Sequence, residues 1–223
     1  MTDITLGSIA GGIGAPHPRP RRGLLSIPPL STIVRESPDL AVALLHATEI
    51  RAAKVKADQA RMIEKVQITL NINGQDHSVS VEPRRTLVDV IRDDCGQTGT
   101  HIGCEHGICG ACTIILEGEA VRSCLMFAIQ ADGKRIRTVE GLADGDKLHP
   151  LQTAFMAHHA LQCGFCTPGF LMLAVNALET NPNITDEEIL EVLSSNLCRC
   201  TGYQNIIKAV RSTAAEMRRA AAS

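Results

Sequence analysis

Apolar and polar residues alternate in two short stretches near the middle of the chain. The stretches "VQITLNI" (Val66–Ile72) and "HSVSV" (77–81) both have the period of two that is typical of a strand with one buried face. Asn73 and Gly74 stand between them and are favoured in the tight turn of a β-hairpin. The sequence predicts a second hairpin in "TIILEGEAV" (113–121) and a last strand in "RIRTVE" (135–140).

One helix is predicted between the two hairpins. Thr86 is a good N-cap, and Leu87, Val90 and Ile91 then fall on one face of a helix that covers residues 87–95 and ends before Gly96. A small mixed sheet crossed by one helix is the β-grasp pattern. We therefore predict a β-grasp domain over residues 64–142.

The pattern changes to helical spacing after residue 142. Pro150 and Pro168 are each placed to open a helix, and the second of these helices, "GFLMLAVNAL", is apolar on almost every side. Thr185 and Glu188 form a capping box for a third helix. A fourth helix has one apolar stripe, made of Ile206, Ile207, Val210, Ala214 and Met217. The predicted fold is α+β, with the β-grasp domain followed by a four-helix bundle over residues 143–223.

Residues 1–63 form an N-terminal extension of different composition. Residues 7–31 are rich in Gly, Pro and Ser, which predicts a flexible or extended segment, and residues 38–62 have the weak apolar stripe of a helix. "RRGLL" (21–25) is similar to a twin-arginine export signal, but the apolar stretch that follows it contains two prolines and soon ends at Arg35. We expect a cytoplasmic protein, with periplasmic export as the alternative.

Composition and charge exclude several classes of function. The 22 basic and 24 acidic residues give a net charge of -2, and aromatic residues make up 2% of the chain, so neither phosphate binding nor base stacking is indicated. No apolar run approaches the roughly 20 residues of a membrane-spanning helix. We expect no nucleic-acid partner and no membrane span.

The cysteines carry the candidate chemistry. The chain has nine cysteines. Three in "GCEHGICGAC" and a fourth, separated from it by eleven residues, have the C-x4-C-x2-C…C spacing of a plant-type [2Fe–2S] site: Cys104, Cys109, Cys112 and Cys124. The glycines of this loop allow the backbone to wrap closely around a cluster. A four-cysteine zinc site is the alternative.

A second quartet lies in the turns between the predicted helices. Cys163 and Cys166 precede the second helix, and Cys198 and Cys200 precede the fourth, so the helical hairpins bring the four thiols to one end of their domain. We expect this site to be the better shielded from water. Cys95 belongs to neither quartet and is interpreted as a small buried apolar residue.

Both motifs together resemble the iron–sulfur subunit of the xanthine oxidase family of molybdenum hydroxylases, in its three-subunit bacterial form. The resemblance rests on "GCEHGICGACTI" with Cys124, and on "QCGFCTPG" with "NLCRCTGY", and it covers about residues 64–215. It implies two [2Fe–2S] clusters that relay electrons from a large molybdopterin subunit to a medium FAD subunit, in a heterotrimer or its dimer. By matching positions, Gln162 is expected to bind the pterin, and Cys200 to lie on the pterin-facing side of its cluster. Gln162 as a simple helix-end cap is the alternative.

Two other classes of function stay open from the sequence. A free-standing double-cluster ferredoxin would have the same thiols, and a zinc-stabilised interaction module would use them differently. No histidine is predicted to act in catalysis: His101 and His106 flank the first cysteine loop and are expected to contact solvent or a partner, while His158 and His159 are expected on a helix surface. The chain is therefore predicted to have no catalytic residue of its own.

Overall fold

The computed structural model describes residues 38–61 and 64–221. The chain divides into two compact units, Met1–Ala57 and Asp58–Ser223, and each is described by itself. The segments 7–31 and 21–25, on which the predictions of a flexible arm and of an export signal rest, lie outside the described residues. No helix in the described part of the chain is long and apolar enough to cross a membrane.

The N-terminal extension contains a helix, as its weak periodicity predicts. Helix α1 covers Pro38–Arg61 and has an acidic residue, Asp39, in its first turn, where the helix dipole favours negative charge. Several of its large apolar side chains are more than half exposed: Val42, Leu45, Ile50 and Val55.

Five strands form one mixed sheet in the order β2-β1-β5-β3-β4. They are β1 (Val66–Ile72), β2 (Gln75–Val81), β3 (Thr113–Leu116), β4 (Glu119–Arg122) and β5 (Arg135–Arg137). β1 pairs with β5 in parallel, and every other pairing is antiparallel. Both hairpins turn where the sequence predicts, with positive φ at both turn residues: Asn73 and Gly74 in one, Glu117 and Gly118 in the other.

The last strand is shorter than predicted. β5 ends at Arg137 because the N–H of Thr138 donates to the side chain of Asn73 (2.9 Å) rather than to a neighbouring strand. The chain then enters a single tight turn at Val139–Gly141. A side chain from the first hairpin therefore ends the strand, which the local alternation does not reveal.

The crossing helix starts where predicted but changes its winding. Thr86 accepts a hydrogen bond from the N–H of Asp89 (3.3 Å) and caps α2 (Leu87–Asp89). The chain continues as a wider, π-type turn over Val90–Asp94, and Cys95 N–H donates to Val90 O (3.0 Å). Cys95 is 8% exposed and packs in the core of the sheet, so its interpretation as a buried apolar residue is confirmed.

Four helices follow the sheet: α3 (Pro150–Ala157), α4 (Thr167–Thr180), α5 (Asp186–Ser194) and α6 (Gln204–Ala221). The predicted capping box of Thr185 and Glu188 begins α5. Helix α4 is buried along most of its length and lies in a hydrophobic core formed mainly by the four helices, which fits its nearly all-round apolar sequence. The α+β class is confirmed.

Strand β3 links the two halves of the unit Asp58–Ser223, which are the sheet with α2 and the group of helices α3 to α6. All four of its residues are buried, because its two faces are covered by different cores. Ile114 and Leu116 pack with the sheet and α2, whereas Ile115 packs with the helices. The loop that carries the first three cysteines of the quartet ends directly before this strand, so it is held against the helical half.

Candidate metal centres

The first quartet lies between α2 and the β3–β4 hairpin. Cys112 and Cys124 are buried and pack together with Val88, while Cys104 and Cys109 are half-buried. Ser123 fixes the approach of the second pair, because its N–H (3.3 Å) and its hydroxyl (2.6 Å) both donate to the carbonyl of Cys112. Strand pairing within the hairpin thus brings Cys124 to the loop that precedes it.

The loop around Cys104 presents backbone donors to its sulfur. The N–H of Cys109 lies 3.4 Å from Cys104 Sγ, and the N–H groups of His106 and Ile108 also bond to this sulfur. Burial raises the pKa of Cys104, but these hydrogen bonds outweigh it and lower the pKa to about 6. Positive φ angles at Glu105 and Gly107 produce the concave backbone. Such a loop is suited to an anionic sulfur.

The second quartet is built from two turns of the helical half. Cys163 and Cys166 lie between α3 and α4, and Cys198 and Cys200 lie between α5 and α6. The sulfurs of Cys163 and Cys200 are 3.5 Å apart. Cys166 bonds to Cys198, and burial followed by this bond raises the pKa of Cys166 to about 12.

Cys198 has its own set of supporting hydrogen bonds. The Thr201 hydroxyl and N–H lie 3.1 and 3.5 Å from Cys198 Sγ. Burial raises the pKa of Cys198, but the hydrogen bonds from Thr201, Cys200 and Cys166 together lower it below its usual value. The Cys198 N–H donates to the Tyr203 hydroxyl (3.0 Å), which fixes the backbone of this turn. This sulfur therefore lies in a polar environment although the residue is buried.

In each quartet the thiols meet in pairs. Cys104 bonds to Cys109 and Cys112 to Cys124 in the first, and Cys163 bonds to Cys200 and Cys166 to Cys198 in the second. Among residues 38–61 and 64–221, no three His, Cys, Asp or Glu side chains converge as ligands of a single ion. Two thiolates per iron is what a [2Fe–2S] cluster requires. The donor set and the backbone cradle of the first loop fit this cofactor.

The exposure of the two quartets is opposite to the prediction. Cys163 and Cys200 are exposed and Cys166 is half-buried, whereas no thiol of the first quartet is exposed. The turns between the helices lie at the surface of the chain, and the apolar centre of α4 begins only with Gly169 and Phe170. The expectation that the helical site is the better shielded one is wrong for this chain by itself.

The other predicted residues have simple environments. Gln162 is exposed beside Cys163. His106 is exposed. His101 is half-buried and contacts the helical half of the same chain: its Nδ1 lies 2.7 Å from the carbonyl of Phe165, and the two rings stack at 4.8 Å. His158 and His159 follow the end of α3, half-buried and exposed respectively.

Several residues between the two sites are not predicted by the motifs. Thr113 and Asn196 are buried polar residues at 1% exposure, and Arg122 reaches from β4 to the end of α5. The N–H of Leu197 donates to the carbonyl of Cys109 (2.9 Å). The one available signal was the presence of polar residues within two positions of ligand cysteines, as in "CT" (112–113) and "NLC" (196–198).

The comparisons with known proteins agree with two [2Fe–2S] domains. Residues 70–142 match the 2Fe-2S iron-sulfur cluster binding domain family, and residues 138–211 match the [2Fe-2S] binding domain family. The class of the protein is therefore a two-domain [2Fe–2S] protein.

Relatives define the family more closely. The chain is 59% identical over 147 residues to the nicotine 6-hydroxylase small subunit of Paenarthrobacter nicotinovorans, a match that covers 66% of this chain and 88% of the relative. It is 36% identical over 193 residues to the aldehyde oxidoreductase iron-sulfur-binding subunit PaoA of Escherichia coli K12, covering 80% and 84% of the two chains. The structure of quinoline 2-oxidoreductase from Pseudomonas putida 86 matches with a TM-score of 0.66 and 51% identity, over 70% of this chain and 97% of that one.

The chain belongs to the iron–sulfur subunits of the xanthine oxidase family of molybdenum hydroxylases. Its role is electron transfer within a molybdenum-containing oxidoreductase.

Proposed function

We propose that this chain holds two [2Fe–2S] clusters on the eight paired cysteines and relays electrons from a large molybdopterin subunit to a medium FAD subunit. Bound clusters supply one-electron transfer, and the chain supplies ligands, hydrogen bonds to sulfur and spacing. The observation that carries the proposal is the convergence of eight thiols into four pairs, two pairs in each domain. We propose a β-grasp domain at residues 64–142 and a four-helix-bundle domain at residues 143–223.

Exposure supports the helical site as the point where electrons enter. Cys200, Cys163 and Gln162 form one exposed edge of this site. A pterin held by the large subunit can reach this edge, and the Gln162 amide has both donors and an acceptor to offer it. Exposed apolar side chains at Leu161 and Phe165 flank the same edge, as expected of a subunit interface.

The first site has a separate apolar rim, which supports it as the exit. Ile108 and Leu125 are 60% and 62% exposed, and Leu125 lies directly against Gly107 of the cysteine loop. Phe127, two residues after Leu125, is also exposed. A flavin subunit that docks here would be close to Cys104 and Cys109. A heterotrimer, or its dimer, satisfies both interfaces.

The contact between the two sites supports an internal relay. The Cys109 carbonyl accepts the Leu197 N–H at 2.9 Å, and Leu197 directly precedes Cys198. One backbone hydrogen bond therefore connects a ligand of the first site to the neighbour of a ligand of the second. A ferredoxin that shuttles between partners would not need its two sites in such contact.

We propose that the large subunit, and not this chain, determines the substrate of the complex. Relatives with 59% and 56% identity are subunits of enzymes named for nicotine and caffeine, two different substrates. Because this chain is similar to subunits of enzymes with different substrates, we infer that it does not select the substrate. We also propose a cytoplasmic location, on the weakness of the "RRGLL" signal alone; fractionation of cells tests it, and an N-terminus processed near residue 43 would contradict it.

Metal analysis of single cysteine variants tests the ligand assignment. The purified chain should hold about four iron and about four acid-labile sulfide. Cys109→Ala should lose the signal of one [2Fe–2S] centre and keep the other, whereas Cys95→Ala is the matched control and should keep both. Iron near two per wild-type chain, stoichiometric zinc, or equal losses in the two variants would contradict the proposal.

The order of the relay needs a separate experiment in the assembled complex. In the Cys109→Ala complex, substrate should still reduce the helical centre, as rapid-freeze electron paramagnetic resonance can show, while FAD reduction stops. If molybdenum is reduced and the helical centre stays oxidised, the proposed order is wrong.

A further inference from the structure

A closed ring of hydrogen bonds joins the two cysteine sites. Arg122 donates through one guanidinium nitrogen to the Thr113 hydroxyl, and that hydroxyl donates to the Gly110 carbonyl (2.6 Å). The same carbonyl accepts from the side-chain amide of Asn196 (3.4 Å). The other Arg122 nitrogen donates to the carbonyl (2.9 Å) and hydroxyl (3.2 Å) of Ser195, which completes the ring through the chain.

The members of the ring come from both halves of the molecule. Gly110, Thr113 and Arg122 belong to the first cysteine loop and its hairpin, and Ser195 and Asn196 follow helix α5. The bonds from Arg122 to Ser195 lie at the surface, but Thr113 and Asn196 are each 1% exposed, so their side of the ring is buried. Hydrogen bonds are stronger and more directional in such surroundings than in water.

The ring encloses the link between the two sites. Gly110 follows Cys109, and Asn196 precedes Leu197, so the ring holds the residues on either side of the Cys109 O to Leu197 N–H bond. The side chains of the ligand cysteines Cys109 and Cys198 take no part in the ring. The guanidinium fork of Arg122 can satisfy two acceptors in fixed directions, which an ammonium group cannot reproduce.

Close packing surrounds the Gly110 carbonyl of the ring. A Cβ at Gly169, in the first turn of α4, would lie 2.2 Å from the Gly110 carbonyl, and a Cβ at Gly110 would lie 1.9 Å from Asn196 Oδ1. The carbonyl is thus held between helix α4 and the Asn196 amide. Asn196 Oδ1 is buried here and has no hydrogen-bond partner within the described chain.

We propose that Arg122 and Thr113 are positioning residues for electron transfer between the two clusters. They fix the distance and the hydrogen bond between Cys109 and Leu197, and therefore the electronic coupling of the two sites. This inference rests on the proposed function, because it requires clusters at both quartets. Residues that are not cluster ligands would therefore control electron transfer between the two clusters.

Thr113→Val and Thr113→Ser form a matched pair for the test. Valine has nearly the shape of threonine but removes the hydroxyl that connects Arg122 to Gly110, whereas serine keeps it. In the full chain with both clusters, Thr113→Val should increase the amide exchange rate of Leu197 by about tenfold or more and leave that of Val175, in the core of α4, unchanged. Thr113→Ser should behave as wild type.

A second measurement reports the coupling itself. When both clusters are reduced, their magnetic interaction broadens the electron paramagnetic resonance signals, and Thr113→Val and Arg122→Ala should reduce or scatter this broadening. Transfer between the clusters in the complex should also slow measurably, because the hydrogen bond between Cys109 and Leu197 that links the two sites is loosened. Arg122→Lys should give an intermediate result.

The outcomes separate this inference from the proposed function. Iron content near four in the wild type with unchanged Leu197 exchange and unchanged broadening in Thr113→Val would overturn the positioning role alone. Loss of clusters from both Thr113→Val and Arg122→Ala would make the ring a folding element and also overturn it. A wild-type chain without two clusters would instead overturn the proposed function.

Discussion

Replacing Gly110 with alanine should disrupt the contact between the two sites. Gly110 has a φ of +73°, where any residue with a Cβ is strained, and the new Cβ would lie 1.9 Å from Oδ1 and 2.3 Å from Cγ of Asn196. Real Cβ atoms do not approach other atoms so closely, so the Asn196 side chain must move. It has no free space, since Asn196 is 1% exposed.

Three contributions give the size of the effect. The left-handed backbone costs an alanine about 1–2 kcal/mol. Overpacking of the buried contact adds about 1–3 kcal/mol. Displacing Asn196 breaks its bond to the Gly110 carbonyl and leaves a buried amide unpaired, for about 1–3 kcal/mol more. The free energy of unfolding should therefore fall by about 3–6 kcal/mol, allowing for partial overlap of the last two contributions.

Gly133 provides the control. Its φ of +70° is nearly the same, but a Cβ there meets nothing within 4 Å, so Gly133→Ala should cost only the backbone contribution. Urea unfolding of both variants at equal cluster content, followed by circular dichroism, should show Gly110→Ala less stable than Gly133→Ala by about 2–4 kcal/mol. Equal unfolding midpoints would refute the assignment of Gly110 to a close contact.

Three further predictions concern other parts of the chain. Thr185→Ala should lower the free energy of unfolding by about 1 kcal/mol, because the Thr185 hydroxyl accepts the Glu188 N–H (3.2 Å) at the start of α5. Ser194→Ala is the control in the same urea assay, and equal unfolding midpoints for the two variants would contradict the cap. Tyr203→Phe leaves the Cys198 N–H unpaired and should change the resonance signal of the helical centre alone; a change at the other centre would contradict this. Deletion of residues 1–60 should preserve about four iron per chain but weaken assembly of the complex on size exclusion, because α1 exposes large apolar side chains; normal assembly would reject a docking role.

Local rules were sufficient for most of the secondary structure. Both hairpin turns follow from Asn-Gly and Glu-Gly pairs that accept positive φ, and the capping box at Thr185 follows from spacing alone. The errors occur where a distant side chain decides. β5 ends early because the N–H of Thr138 donates to the side chain of Asn73 (2.9 Å), which lies 65 residues earlier in the chain.

In the candidate sites, too, local features were predictable from the sequence and tertiary features were not. Cysteine spacing assigns eight residues to two sets, since spacing reflects local loop geometry. The exposure of each set depends on tertiary packing, and here apolar helix composition was misleading: α4 is buried, but the turns that hold Cys163 and Cys200 are at the surface. The ring around Gly110 has no sequence signal of its own, because Arg122 and Ser195 are 73 residues apart and meet only in the folded chain.

The pairing of the thiols has a consequence for folding that the ligand set alone does not give. In the helical site, each pair takes one thiol from the α3–α4 turn and one from the α5–α6 turn: Cys163 with Cys200, and Cys166 with Cys198. Each iron would therefore join both turns, so that metal binding and the mutual packing of the two helical hairpins are coupled. In the first site the pair of Cys104 and Cys109 lies within one loop, and only Cys112 with Cys124 spans the hairpin. Removal of metal should thus loosen the helical half more than the sheet, because the sheet keeps its strand hydrogen bonds whereas the two helical turns lose both of their thiol links.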